Sequence, residues 1–506
     1  VSIDGRAPCI IGVATRTWHP HEVGEQGAPE PLDMWEEVAR AAALDAGNND
    51  LAARIESLQL VYCQTWQYDD AVGRLADRLG ASPKHRHYSG IGGTTTQALV
   101  GDTATRMLRG ELDLALIASA EALATQRSYK KRGERYPYSF KPAEKRPFPW
   151  ESPPHAVEIA HEVFQAWLTF AVFDNARRAQ RGIDLEEYRA GIGRMMAPMT
   201  RVAAANPDAW FRVERSAEEL VQPSADNRMI GYPYTKYTVA VMDVDMAGAL
   251  LVATHDCADA VGVPPDQRVY LRGWCYATDP VLVAEHADLG RSPAMRRASA
   301  EALRGAGIAV DDIAAFDLYS CFASSLHFAA DALGLDPLDA RGLTTTGGLP
   351  YHGGPASGYL THSIAAMARR LRARPGDFGM VSGVGMHMTK HVFGVYSSTP
   401  GPIAPPDEGT VQAALAHEHA AVPVVAEHEG HATVAAYSVV HGRDGDPEWA
   451  LLVCDLDDGA RTYAQCRDVA LCRDAESSEL VGRRVHLAPE TRDGVAGPAR
   501  VNIATW

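Results

Sequence analysis

The chain contains no run of eighteen apolar residues, so no stretch of it reads as a membrane-spanning helix. Its first residues lack the basic and then apolar pattern of a secretory leader. Cysteine is sparse: eight in 506 residues (9, 63, 257, 275, 321, 454, 466 and 472), with no C-x-x-C pair and no disulfide framework. Cys466 and Cys472, with five residues between them, have neither a second pair nor a nearby histidine to complete a metal site, so no metal is expected. Reduced thiols in a cytoplasmic protein are the expectation. Positive charge is also short. Against 64 Asp and Glu stand 48 Lys and Arg, a formal net charge of −16, which argues against a nucleic-acid backbone as the main partner. What remains is ordinary for a globular protein, 46% apolar and 22% charged. The length is enough for roughly two to four domains with substantial cores.

The chain is arranged around residues 87–121, HYSGIGGTTTQALVGDTATRMLRGELDLALIASAE. Ser89, Gly90, Gly92 and Gly93 form a turn between an extended segment and a helix, whose candidate N-caps are Thr94 to Thr96. Ala98, Leu99, Ala104 and Leu108 recur at helical spacing, and Leu112 to Ala118 reads as a buried strand. Such a turn aims free N–H groups and a positive dipole end at whatever lies over it; it is also an ordinary strand-to-helix connection.

A second copy follows. Residues 347–389, GGLPYHGGPASGYLTHSIAAMARRLRARPGDFGMVSGVGMHMT, repeat the plan. Upstream, LDMWEEVARAAALDAGNNDLAARIESLQLVYCQTW corresponds to SPAMRRASAEALRGAGIAVDDIAAFDLYSCFAS, and the strand CIIGVATRTW to VYLRGWCYAT. Two long similar halves predict duplicated α/β units packed face to face, not a solenoid. The two glycine-turn helices are expected to meet at a pseudo-twofold with both N-termini at one pocket.

The reading by domain is a first half over 1–264, a second over 265–402, and a further module over 403–506. An insertion at about 122–235 opens with RSYKKRGERYPYSFKPAEKRPFPW, eight basic residues among aromatics and prolines. Lys130, Lys131, Arg132 and Arg135 are candidates there for holding the phosphates of a large anion; a solvated loop is the alternative. The helical block IAHEVFQAWLTFAVFDNARRAQRGIDLEEYRAGIGRMMAPM reads as core. After the linker TPGPIAPPDEG, the segments VPVVAEHEGHATVAAYSVVHG, EWALLVCDLDD, ARTYAQCRDVAL and LVGRRVHLAP alternate as strands, which predicts a small all-β barrel.

Four stretches in order carry a family resemblance. GGTTTQALVGDTATRMLRGELDLALIASAEA resembles the nucleophile loop and helix of the thiolase superfamily, and DLYSCF its N-E-A-F or H-D-C-F element. GGLPYHGGP is similar to its G-G-x-x-x-x-G-H-P loop, and VSGVGMHM to its C-x-G-G-G-M loop. The sterol-carrier-type branch is the nearest, and the last module resembles the extra C-terminal domain of actinobacterial thiolase-like type 1 proteins. The resemblance implies an α/β protein with the duplicated, five-layered αβαβα thiolase fold, an inserted loop domain and a C-terminal OB-like barrel. It also implies CoA thioesters as ligands and loss of the usual thiolase dimer, leaving a monomer.

Thiolase condensation needs a cysteine nucleophile, a histidine, a second cysteine and an oxyanion hole. The resemblance places those positions on Gly93, Gly354, Val381 and Tyr319, none of which bears the expected group. The polar groups that remain are Tyr319, His352, His387, Thr94 and Ser382; Cys321 matches a structural core cysteine. Some thiolase-fold aldolases place a tyrosine at the position of Tyr319 for proton transfer. Three expectations follow. One is a CoA or acyl-CoA binder in lipid or acyl-CoA metabolism that no longer condenses and requires no cofactor. Another is an acyl-CoA enzyme, an acyltransferase or retro-aldol lyase, using Tyr319 with His352 or His387. In the third, the barrel covers a surface otherwise taken by a partner or second subunit, with nucleic acid disfavoured by its charge.

Overall fold

The computed structural model describes residues 3–149, 155–494 and 497–506. The first half contributes β1 (Pro8–Thr17), β2 (Ser57–Leu60), β3 (His85–Tyr88), β4 (Leu114–Ala122) and β5 (Asp245–Thr254). The second contributes β6 (Val269–Thr278), β7 (Ile313–Asp317), β8 (Phe378–Gly385) and β9 (Lys390–Ser397). They hydrogen-bond in the order β3-β2-β4-β5-β1-β6-β9-β8-β7. Among the described residues, the strands of the two halves pair only at Cys9↔Tyr270 and Ile10↔Val269. Each half repeats the other's order, β2-β4-β5-β1 against β7-β8-β9-β6, with β3 an extra edge strand on the first. Every residue of β4 and β5 is buried. Their nearly unbroken apolar runs, unlike alternating strands, belong to sheets covered on both faces.

Helices supply that cover. Pro31–Asp45 and Ala71–Leu79 lie outside the first half, and Pro293–Ala306 and Ala323–Leu333 outside the second. The helices Thr95–Leu108 and Tyr359–Ala373 run between the halves, which completes the five layers expected. The first outer helix starts on Pro31 and buries Leu32, Trp35, Val38, Ala39 and Ala42 at three-four spacing. A Cβ on Gly12 would run into the Ala42 carbonyl oxygen, and one on Gly273 into that of Ala302. The same close approach of helix backbone to sheet thus occurs in both halves, and only glycine permits it. Between the central helices the Thr96 and Thr361 hydroxyls, both fully buried, satisfy one another at 3.1 Å.

The last module closes on itself. Strands β10 (Gly430–His441), β11 (Pro447–Asp455), β12 (Arg461–Cys466), β13 (Arg484–Gly494) and β14 (Gly497–Thr505) form the ring β10-β11-β12-β14-β13-β10, with β12 and β14 parallel. A ring leaves no free sheet edge, which is the advantage of an OB-like barrel. Two details depart from the sequence pattern. ARTYAQCRDVAL is not one strand: Asp468 Oδ1 accepts from the N–H groups of Ala470 (2.8 Å) and Leu471 (3.3 Å) and starts the helix Val469–Ser477. VDMAGALLVAT, whose apolar residues do not alternate, is the single strand β5, because its small residues fit a doubly covered sheet. The helix Ala166–Gln180 from the inserted block is buried nearly all round and separates the barrel from Ala323–Leu333.

Candidate functional site

The site begins where two glycine turns bring the central helices together. Gly92 donates its N–H to Ser357 Oγ (3.0 Å), on the turn that opens the second central helix. The two N-termini therefore lie side by side, as the repeat predicts. Asp317, fully buried at the end of β7, holds the second loop. Its Oδ2 accepts from the N–H groups of Thr345 (2.8 Å) and Thr346 (3.1 Å), and its Oδ1 from the hydroxyls of Tyr359 (2.9 Å) and Ser363 (2.7 Å). The sequence reading missed this hub; its signal was the threonine run TTT just ahead of GGLPYHGGP. Gly348 follows with φ +80°, and a Cβ there would stand 2.5 Å from Ser320 Oγ.

Over Gly93 there is no room. A Cβ on that residue would run into the Tyr319 hydroxyl and the Val384 carbonyl oxygen, and would lie 2.5 Å from Tyr319 Cζ. Those atoms, not a sulfur, are its nearest neighbours. Tyr319 is 5% exposed; its N–H donates to Ser382 Oγ (3.0 Å), and its ring meets Tyr359 edge-on at 5.6 Å. Burial, reinforced by the neighbouring Cys321, pushes the phenol well above its ordinary range. Burial likewise pushes the Cys321 thiol up to about 12, where it is inert. Cys63 is buried beside Glu121 at 3.7 Å, and Cys257 lies half-buried on the helix His255–Ala260, away from the turn.

The histidines take separate places. His352 is buried, with Nδ1 accepting from Asn206 Nδ2 at 3.2 Å and Nε2 without a partner among the described residues; burial lowers it to about 4, so the ring is neutral. It and Tyr319 each meet the Tyr359 ring edge-on, at 6.1 Å and 5.6 Å respectively. His387, half-buried after β8, meets Thr169 Oγ1 through Nδ1 at 3.1 Å and is also lowered to about 4 by burial. Gly354 donates to the Val241 carbonyl (2.8 Å), and Val381 lies in β8 opposite Asp317 and Gly394.

The candidate ligand groups divide. Thr94 precedes the first central helix and lines an 890 Å³ groove with His85, His87, Gln97, Arg106 and Trp274, whereas Ser382 is spent on Tyr319. Lys130, Lys131, Arg132 and Arg135 are all exposed, on the end of the helix Leu123–Arg132 and just past it. Lys130 binds Gln126, and Arg132 pairs with Glu134 and stacks on Tyr129. The basic segment's last residue, Trp150, lies outside the described residues.

Comparisons with known proteins bear on the fold and the family. The thiolase-like protein type 1 additional C-terminal domain matches residues 410–492. No curated protein is similar in sequence at a significant level. Two solved structures share the fold at lower identity. The Ltp2-ChsH2(DUF35) aldolase is 17% identical, covering 78% of this chain and 98% of its own, with a TM-score of 0.60. Human mitochondrial 3-ketoacyl-CoA thiolase in complex with CoA is 15% identical, covering 78% and 98%, with a TM-score of 0.55. A monomeric SCP2-thiolase-like protein type 1 from Mycobacterium smegmatis is 31% identical over 100% of both chains, with a TM-score of 0.85. Likeness at that level across two whole chains, barrel included, means that this protein belongs to the SCP2-thiolase-like proteins of type 1.

Proposed function

We propose that this protein binds CoA or acyl-CoA in a thiolase cradle that no longer condenses or cleaves through cysteine, and that it serves lipid or acyl-CoA metabolism in the cytoplasm. The observation that carries the reading is the space over Gly93, filled by Tyr319 and the Val384 carbonyl where an acylated side chain would have to stand. Glycine offers no nucleophilic atom, and the adjacent Cys321 thiol stays protonated. The fold relatives that act on CoA thioesters, the paired helix N-termini and the exposed basic residues 130–135 support the ligand half. The protein acts as a monomer in this reading, with the barrel covering one side of it.

Calorimetry with CoA and palmitoyl-CoA tests the ligand half, and the absence of heat with both removes it. Intact-mass measurement after incubation with acetoacetyl-CoA tests the chemical half: an acyl adduct on the protein would overturn it. The lyase or acyltransferase alternative is less well supported. Burial keeps the Tyr319 phenol protonated, and His352 Nδ1 is taken by Asn206. Equal turnover of aldol-type acyl-CoA substrates by wild type and Tyr319→Phe would remove that alternative.

A further inference from the structure

A second polar centre lies apart from the glycine turns. It is built from the helices Ala166–Gln180, Leu185–Ala205 and Ala323–Leu333. Asp174 is fully buried, and its carboxylate gathers three donors: the Tyr188 hydroxyl (2.5 Å) and His327 Nδ1 (2.9 Å) on Oδ1, and the Tyr234 hydroxyl (2.7 Å) on Oδ2. A carboxylate only accepts, so His327 Nδ1, which also lies 3.0 Å from the Tyr188 hydroxyl, carries a hydrogen, and in that tautomer of the imidazole the lone pair is on Nε2. Arg177 strengthens the arrangement. It donates to the Tyr188 oxygen (3.2 Å), which orients that hydroxyl toward Asp174, and is itself held by Asp331 through two bonds of 2.7 and 2.9 Å.

His327 is only 5% exposed, yet its ring lines a 410 Å³ cavity. Among the described residues nothing meets its Nε2. A carboxylate-oriented imidazole with its free nitrogen facing a cavity is how proteins fix an acceptor for a ligand's hydroxyl proton. The rest of the lining combines arginines, the carboxylates Glu187, Asp331 and Asp336, and apolar side chains. Arg181 and Arg194, both about half-exposed, stand at the mouth; each gives one amino group to a carboxylate, Asp331 and Glu187 respectively, and keeps other N–H groups for a ligand. Ile183, Leu335 and Leu338 make an apolar wall.

We propose that this cavity binds a small hydroxy acid with an apolar chain: its carboxylate on Arg181 and Arg194, its hydroxyl donating to His327 Nε2, its chain against the leucines. The site is separate from the Gly93 cradle, and CoA titrations report on the cradle alone. Calorimetry on the full chain with 3-hydroxyoctanoate and octanoate tests it. The hydroxy acid binds more tightly than octanoate, and His327→Asn, which keeps a donor for Asp174 but lacks the outer nitrogen, reduces hydroxy-acid affinity about tenfold, the worth of one hydrogen bond. The same substitution leaves octanoate unchanged. Arg181→Gln, on a half-exposed side chain that does not endanger the fold, weakens both acids. No heat from either acid with the wild-type protein overturns the proposal. So does equal hydroxy-acid affinity before and after His327→Asn, or, if that variant fails to fold, undiminished binding by Arg181→Gln.

Discussion

Tyr319 occupies the volume that any side chain on residue 93 would need: its Cζ lies 2.5 Å from where a Cβ on Gly93 would stand, and the Val384 carbonyl closes the other side. Gly93→Ala therefore overpacks the junction of the central helices and costs about 2–3 kcal/mol. In a Tyr319→Ala background part of the clash is gone, and that cost shrinks by about 1–2 kcal/mol. Urea unfolding of the four proteins in the cycle measures both quantities. Strict additivity would mean that the two residues do not compete for one space.

Asp317 ties three threonines of the second glycine loop to Tyr359 and Ser363 of the second central helix. Asp317→Ala strands those buried donors and costs about 3 kcal/mol or more, since each orphaned group carries its own desolvation penalty. New proteolytic sensitivity between residues 343 and 355 is the expected sign. A variant as resistant as wild type would show that glycine geometry alone holds the loop.

Two buried carboxyls contribute stability that falls as pH rises from about 4.5 to 7, against buried His286, His352 and His387, whose lowered values contribute stability that rises over the same range. Burial raises Glu121 to about 7 although Gln64, Thr65 and Cys63 donate to it, and raises Asp245 to about 6 despite bonds from Thr125. A folded carboxyl raised above its unfolded value contributes stability fully present below the unfolded value and lost as pH passes the folded one. For Glu121 the change is roughly 3 kcal/mol across that window. The difference between wild type and Glu121→Gln in how the denaturation midpoint changes from pH 5 to 7.5 measures it. Glu121→Gln removes this falling contribution, so its stability rises more steeply with pH than that of the wild type, at a lower overall stability because the amide nitrogen faces donors.

The barrel is fastened by buried polar bonds as well as apolar contact. Tyr463 donates to Glu158 (2.6 Å) and accepts from the Ala284 N–H (2.8 Å), and Arg178 grips Glu479 with two bonds of 2.7 Å. Tyr463→Phe leaves a buried carboxyl and an N–H without this partner and costs about 1–3 kcal/mol. Scanning calorimetry shows it as a lower midpoint with a single transition. Removal of residues 405–506 uncovers the buried helix Ala166–Gln180 and gives an aggregating protein. A truncated chain that stays monomeric by light scattering would show that the barrel is dispensable for covering that face.

Much of the architecture is legible in the residues because it is set by near neighbours. Apolar spacing makes the helices of each half, glycine makes the turns, and the repetition of both 260 or so residues apart announces two similar units whose helices must meet. The strand and helix of the turn at 87–121 are found within a few residues of where periodicity puts them: β4 ends on Ala122 and the helix spans Thr95–Leu108. The β12 segment is the instructive exception. Its apolar alternation continues past the point where Asp468 caps a helix, and a side-chain cap outweighs a weak pattern.

The site is a different matter, because its members come from distant segments and only sheet order decides which converge. By itself the sequence determined the two halves, the barrel and the absence of a nucleophile at Gly93. Folding alone decided that the vacancy is filled, by a phenol 226 residues away and a carbonyl that no sequence pattern encodes. It also decided that Asp174 and His327, 153 residues apart, share a hydrogen bond at the edge of a cavity. Local propensities act over a turn or a strand, whereas volume and burial are properties of the packed whole.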